Sequence, residues 1–396
     1  MLGGSCVFAK QLNIIDYSLS TIWRRRYKSL GVMAVFAGVI FLLASFQMTA
    51  KALTRAASES LAYAPEILIQ KMKAGRQESI PVDYGEALTG IFGVRAVTPR
   101  VWGYYFHETS GANLTILGLD PAAMPLGDQL SQAIDSHRLP QDHEAVAGAG
   151  AKAALAGSGS PIFSLFRPDL TLKAFTIAGA FKPATDLLTH DTLYMSLADA
   201  RDLFAMPEAL ATDLCVTVVN TKEVSTIARK IASLLPDTRV LTRAQIQKTY
   251  QAVFGWRSGF ASICLLTALT SFIIFAWDKA SGLTPEEKKE ISVLKIIGWQ
   301  TADILVLRFW EAMIVSFLSF AVGFTLAYVH VAFFDAALFR PIMLGWSVLH
   351  PALRLVPTVD LSEFLLVLCL TVVPYLAATV IPAWRSAIIP ADSALN

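Results

Sequence analysis

Four stretches of about twenty residues carry no Asp, Glu, Lys or Arg, and they decide what this chain is able to fold into. Residues 29–50 lie between Lys28 and Lys51, and residues 258–277 between Arg257 and Asp278. Residues 312–334 hold a single histidine, His330, and residues 364–384 lie between Glu363 and Arg385. A helix that crosses a bilayer needs about 20 mostly apolar residues, because no water in the hydrocarbon core satisfies a stray backbone group. A buried core helix imitates one such stretch, not four. Composition agrees, with 16% charged residues against about a quarter in a soluble domain.

The net charge of +2 points to no nucleic-acid partner, but the placement of the charges orients the chain. Arg24, Arg25, Arg26 and Lys28 abut the first stretch, and Lys279, Lys288, Lys289, Lys295 and Arg308 follow the second. Between the third and fourth stretches there are only Arg340 and Arg354. Lys and Arg collect on the cytoplasmic side. Both termini and the segment after the second span are therefore expected inside, in a multi-pass protein. The first stretch is too long and too far from the N-terminus for a signal peptide, and is expected to be retained. Leu12, Ile15, Leu19, Ile22 and Trp23 recur mostly at spacings of three and four. They describe an amphipathic helix on the inner membrane surface, with membrane lipid as its partner.

The expected fold class is membrane α-helical, with four transmembrane helices and a large α+β extracytoplasmic domain between helices 1 and 2. Residues 1–28 form the cytoplasmic amphipathic helix, 29–50 the first span and 51–252 the external domain. Residues 253–277 form the second span and 278–308 a cytoplasmic loop. The third span is 309–334, an external loop 335–360, the fourth span 361–384 and a cytoplasmic tail 385–396. Within the external domain, strands are expected at 66–70, 96–106, 113–119, 175–181, 191–196, 214–219 and 239–241. Helices are expected at 84–92, 145–156, 197–204 and 224–234, and a turn at Ser110 and Gly111. Of Cys6, Cys215, Cys264 and Cys369, only Cys215 falls outside, so no disulfide is expected within that domain. About 200 residues suffice for an ordinary apolar core. Pro374, inside the fourth span, frees a carbonyl and is expected to kink the helix.

Signatures of catalysis are missing. There is no Gly-x-x-x-x-Gly-Lys-Ser/Thr loop, no His-Glu-x-x-His, and no cysteine pair at metal spacing. His137 and His143, with Asp142 and Glu144, come nearest to a ligand cluster and read as a solvated loop. No catalytic residue, no metal and no enzyme activity are expected in this chain. Glu311 and His330 sit near the ends of the third stretch, where interface access explains them.

The stretch "KKEISVLKIIGWQTADI" at 288–304 is the most informative. After Pro285 it describes a short helix, with Ile291, Leu294 and Ile297, and also Val293 and Ile296, on one side. Gly298 suits a left-handed C-cap, and Thr301 is placed to cap a helix running into the third span. The bland reading is an interfacial helix on lipid headgroups. The sharper reading is a lever that docks in a partner's groove.

These residues resemble the signature of the FtsX-like permease domain, found in the FtsX, MacB and LolC/LolE group of ABC-transporter membrane subunits. "IPAWRSAIIPADSALN" at 381–396 is similar to the family's C-terminus, with Pro382, Ala383, Ala387, Pro390, Ala394 and Leu395 in matching places. "FTIAGAF", "DTLYMSLADARDLF" and "LCVTVVN" resemble the external domain of MacB and LolC in their order. Three features depart from the pattern: Ser292 where many members have Gly, one extra residue between Pro390 and Ala394, and Trp384 in a usually basic run.

The resemblance implies a permease subunit of the bacterial inner membrane that works as a dimer with a second copy or a paralogue. A separate cytoplasmic ATPase binds ATP and Mg²⁺, and no cofactor sits in this chain. A coupling helix passes the ATPase motion to the external domains, a scheme called mechanotransmission, and so exports or extracts a periplasmic, amphipathic or lipidated substrate. A periplasmic or outer-membrane partner is compatible with this scheme. The alternative is an FtsX-like transmitter that regulates a cell-wall hydrolase without transport. By this resemblance the ATPase-docking residues are Glu290, Ile291, Leu294, Lys295, Ile297 and Gly298. If Leu294 lies in the docked face, Leu294→Asp buries an unpaired charge there and is expected to abolish stimulation of the ATPase. Stimulation that survives the change places Leu294 elsewhere.

Overall fold

The chain opens with α1 (Gly3–Arg24) and α2 (Arg26–Leu61), separated only by Arg25, whose N–H still donates to the Thr21 carbonyl at 3.1 Å. The computed structural model describes residues 3–123, 125–155, 160–254, 285–344, 355–357 and 359–388, with isolated positions between 263 and 274 and at 349. Two compact units divide the chain. One comprises Met1–Ala52, Gly255–Phe339 and Leu355–Asn396, the other Leu53–Phe254 and Arg340–Arg354.

The second unit is a mixed α/β domain. Its first half holds β1 (Ile67–Lys73), β2 (Arg76–Glu78), β3 (Ile80–Pro81), α3 (Tyr84–Thr89), β4 (Val94–His107), β5 (Ala112–Leu119) and α4 (Leu126–Gln132). Then come β6 (Glu144–Ala147), α5 (Ala149–Leu155), β7 (Ile162–Phe166), β8 (Leu172–Ala180), α6 (Asp186–Thr189), β9 (Thr192–Ser196) and α7 (Leu197–Leu203). It closes with β10 (Leu210–Ala211), β11 (Asp213–Val218), α8 (Val224–Leu234), β12 (Thr238–Thr242) and α9 (Arg243–Phe254). The main sheet runs β12-β1-β11-β4-β5-β9-β6-β8-β7, with β2 on β1, and β3 pairs with β10 apart from it. Pairs β5/β9 and β6/β8 are parallel and the others antiparallel.

Side chains alternate across the strands, so both faces of the sheet are covered. Ile67, Ile69, Leu214 and Val216 join Ile227 and Ile231 of α8 on one face. Their neighbours Leu68 and Cys215 join Tyr194, Leu126 and Phe181 on the other. Burial pushes the Cys215 thiol up to about 12, which keeps it an inert core side chain. A third cluster holds Leu114, Ile116, Phe163, Phe175 and Leu193.

Several short elements, among them β2, β3, β10, α4, α6 and α9, are not expected from the sequence, and two departures bear on the sheet. The helix expected at 145–156 begins instead as strand β6, with Ala145 and Ala147 fully buried between β8 and β9. Gly148 then lets the chain pass so close to α6 that a Cβ would fall 1.7 Å from the Thr189 carbonyl oxygen. Tertiary pairing overrides alanine's helix propensity here. Strand β7, unforeseen in the sequence, forms the sheet edge. Its register with β8, together with the Arg167 N–H to Thr171 O bond, turns the N–H groups of Ile162, Ser164 and Phe166 outward. Ser160 Oγ accepts from Ile162 at 3.1 Å and Tyr105 Oη from Phe166 at 2.8 Å, which blunts the edge.

The first unit continues with α10 (Pro285–Ile296) and α11 (Thr301–Phe333). After α12 (Arg340–Leu344) in the second unit, α13 (Leu361–Ala387) returns to the first. Among the described residues, α2 and α11 are long and apolar enough to cross a membrane, and α13 contains the shorter apolar run Phe364–Ala377. The span expected at 253–277 lies almost wholly outside the described residues, as do Pro390, Ala394 and Leu395. Helix α13 continues without a break through Pro374, below which the Thr371 hydroxyl donates to the Val367 carbonyl at 2.7 Å. Where α2 meets α11, a Cβ on Gly323 would fall 2.5 Å from the Ala37 carbonyl oxygen and 2.9 Å from Ile40 Cβ. Ser316, Ser319 and Ala327 continue this buried line of small residues, the composition that lets apolar helices approach closely. Gly323→Leu has to push α2 and α11 apart and is expected to cost about 1–3 kcal/mol. Thermal unfolding in detergent reads this as a lowered Tm, and an unchanged Tm removes the contact.

Candidate functional site

Helix α10 ends on Gly298, which has φ of +100°. The Gly298 N–H donates to Lys295 O and the Trp299 N–H to Leu294 O, both at 3.0 Å. These two bonds define a helix closed by a left-handed residue, and the apolar contact that accompanies them is present, with Trp299 packed on the cluster that holds Leu294. The next helix starts at once. Gln300, extended at φ −80° and ψ 159°, is the N-cap, and Thr301 is already helical. The expectation that Thr301 caps α11 is thereby corrected. The Gln300 N–H is satisfied by Asp303 Oδ2 at 3.2 Å, a role Thr301 has no reach for.

The apolar side chains of α10 do not share one side, as the spacing suggested. Ile291 is 2% exposed and packs on Ile304, while Leu294 is 5% exposed and packs on Ile14 of α1 and Leu307 of α11. Ser292 is fully buried beside them, with no partner for its hydroxyl among the described residues, so the position has room only for a small side chain. Val293, Ile296 and Ile297 point outward at 54%, 62% and 67% exposure. Lys295 is half-buried.

Glu290 fastens α10 to α1. Tyr17 Oη donates to its Oε1 at 3.0 Å, Arg24 Nη2 to the same oxygen at 2.9 Å, and Arg25 Nη2 to Oε2 at 2.7 Å. Burial, opposed by the Arg24 hydrogen bond and aided by the Glu290 charge, holds the Tyr17 hydroxyl above its usual range, so it stays a donor. Tyr17 also packs at 5.7 Å on Trp299, and Trp310 Nε1 donates to Gln11 Oε1 at 3.1 Å. The sequence reading named Glu290 but missed Tyr17, Arg24 and Arg25. They lie more than 260 positions away, and a basic run before a span already has an explanation in topology.

The second unit carries a cleft of about 710 Å³ lined in part by Asp120, Asp142, Arg167, Arg201, Asp202 and Glu208. Arg167 and Asp202 of the lining belong to an ion network. Lys173 Nζ lies 2.9 Å from Asp199 and 2.5 Å from Asp202, and Arg167 lies 2.6 Å from Asp202. Burial opposes ionisation of Asp199, but the Lys173 ammonium and the His143 N–H, 2.8 Å away, hold its carboxyl below the usual range. Glu144 is taken by Arg138 at 2.8 Å. The polar loop at 137–144 is thus tied into the domain, and among the described residues no His, Cys, Asp and Glu group is arranged to hold a metal.

No family model and no curated protein matches the chain. Among solved structures, the periplasmic region of MacB from Actinobacillus actinomycetemcomitans aligns at 13% identity and a TM-score of 0.33, over 47% of this chain and 92% of that one. The extracellular domain of the noncanonic ABC-type transporter YknZ from Gram-positive bacteria aligns at 14% identity and a TM-score of 0.33, over 44% of this chain and 99% of that one. Similarity this low carries no functional argument.

The conformation at Gly298 generates a test. Nothing lies within 4 Å of where its Cβ would be, so Gly298→Ala adds no clash and reports backbone strain alone. A loss of about 1 kcal/mol is expected, read as a lower Tm of the detergent-solubilised chain. An unchanged Tm argues against the left-handed closure.

Proposed function

We propose that the chain is the membrane subunit of an ABC transporter of the FtsX-like permease type. In this reading it spans the bacterial inner membrane four times, with both termini in the cytoplasm. It pairs with a second copy or a paralogue and couples a separate cytoplasmic ATPase to motion of its external domain. The substrate is a periplasmic, amphipathic or lipidated molecule, extracted or exported.

One observation carries the reading. Helix α10 is anchored through one face, by Ile291, Leu294 and Glu290, and presents Val293, Ile296 and Ile297 on the other. A helix that transmits force needs both: a face that cannot slip and a face a partner can grip. The six residues suggested by the resemblance then divide by role. Ile291, Leu294 and Glu290 anchor the helix, Gly298 sets its exit, and Ile297 and Lys295 join Val293 and Ile296 toward the partner.

The test is co-purification in detergent with the candidate ATPase. Wild type is expected to retain it. Ile296→Asp is expected to weaken binding by about 100-fold or more, because docking then buries an unpaired charge, while Tm and elution volume stay those of wild type. Leu294→Asp is expected to damage the fold instead. An ATPase retained by the folded Ile296→Asp variant removes α10 as the docking element, and no ATPase on wild type removes the reading.

A further inference from the structure

Helix α11 ends at Phe333, and the chain doubles back through Asp335 and Ala336, both left-handed at φ +47° and +50°. Two successive non-glycine residues are strained there, because Cβ crowds the following carbonyl oxygen, so something must hold them. His330 does so. Its carbonyl accepts the N–H groups of Phe334 and Ala336, both at 3.2 Å. Its ring takes part as well. Nε2 lies 3.2 Å from the Leu338 N–H, and Nδ1 lies 2.5 Å from Ser45 Oγ on α2. The ring stands 5.4 Å from Phe41 and 6.2 Å from Phe339, and Ala336 and Phe339 are buried.

A backbone amide only donates. Nε2 must therefore carry a lone pair, and the ring proton must sit on Nδ1 and be donated to Ser45 Oγ. The geometry thus selects one neutral tautomer. An imidazolium has no lone pair, so a second proton at Nε2 turns that acceptor into a donor facing a donor.

We propose that His330 is a proton-operated latch. Neutral, it fastens the 334–339 turn to α2 and α11; protonated, it releases Leu338 and the strained turn with it. The charged groups on the adjoining segments include Arg340, which directly follows the turn. Residues 41–50 of α2 present no ionisable side chain, and Lys51 beyond them is paired with Asp360. The turn itself contributes Asp335, and α11 contributes none between Ala312 and Tyr328 that bears a full charge at neutral pH. The latch holds while the ring is neutral and is lost as pH falls through its titration. That it would sense the extracytoplasmic compartment rests on the topology proposed above; the latch itself does not.

Hydrogen exchange of the full chain in detergent, at about pH 7.5 and about pH 5.5 and corrected for intrinsic rates, tests it. Wild type is expected to lose protection of the 334–339 peptide by about tenfold at the acidic pH. His330→Gln, whose amide oxygen accepts at either pH, is expected to keep it, and His330→Ala to lack it at both. Equal protection of wild type at the two pH values overturns the latch, as does an equal acid loss in His330→Gln. Should the variant not fold, ¹⁵N spectra of labelled wild-type histidine at neutral pH decide. A bare Nε2 and protonated Nδ1 at His330 are required, and a protonated Nε2 overturns the proposal.

Discussion

The turn at Gly298 is the constraint on which the candidate site depends. A left-handed residue closes α10 and throws Trp299 back onto Leu294, and the Gln300–Asp303 cap starts α11 at once. No slack remains between the two helices. With that exit set, Ile291 and Leu294 must face α1 and α11, and Val293, Ile296 and Ile297 must face away. Glu290 adds the polar fastening, sharing its two oxygens among Tyr17, Arg24 and Arg25. Arg24 and Arg25, whose charge alone drew notice in the sequence, thus also carry a structural bond.

Within the apolar unit, cohesion comes from close approach more than from any pull between greasy surfaces. In a bilayer, where lipid tails are as apolar as leucine, apolar helices gain from packing and from a few interhelical hydrogen bonds. Gly323 supplies the first by letting backbone touch backbone. Ser45 with His330, and Lys51 with Asp360, supply the second.

Much of the second unit is legible in its sequence, because alternating and helical periodicities speak for themselves. The helix at Val224–Leu234 and the strands at Val94–His107 and Ala112–Leu119 follow from pattern and from Gly111 in the turn. What pattern does not reveal is set by distant partners. Ala145 becomes strand because a slot between β8 and β9 is waiting for it. Strand β7 owes its existence to β8. At the candidate site, the closing glycine is legible from local chemistry, while the division of α10 into two apolar faces is not. That division depends on Ile14, Ile304 and Leu307, and spacing within a twelve-residue helix carries no information about them.

The pairing of β1 near one edge of the main sheet has a further consequence, in time instead of space. Strand β1 bonds to β12, with Ile67 opposite Thr242 and Leu68 opposite Leu241, and to β11, with Leu68 opposite Cys215. A ribosome that has delivered β1 must add well over a hundred residues before either neighbour exists. Until then Ile67, Leu68 and Ile69, all buried in the finished sheet, have no place to go. Pairings between strands so remote in sequence are slow to form and leave chains exposed to misassociation. The order of synthesis thus leaves β1 without these two neighbours until nearly the whole domain has been made.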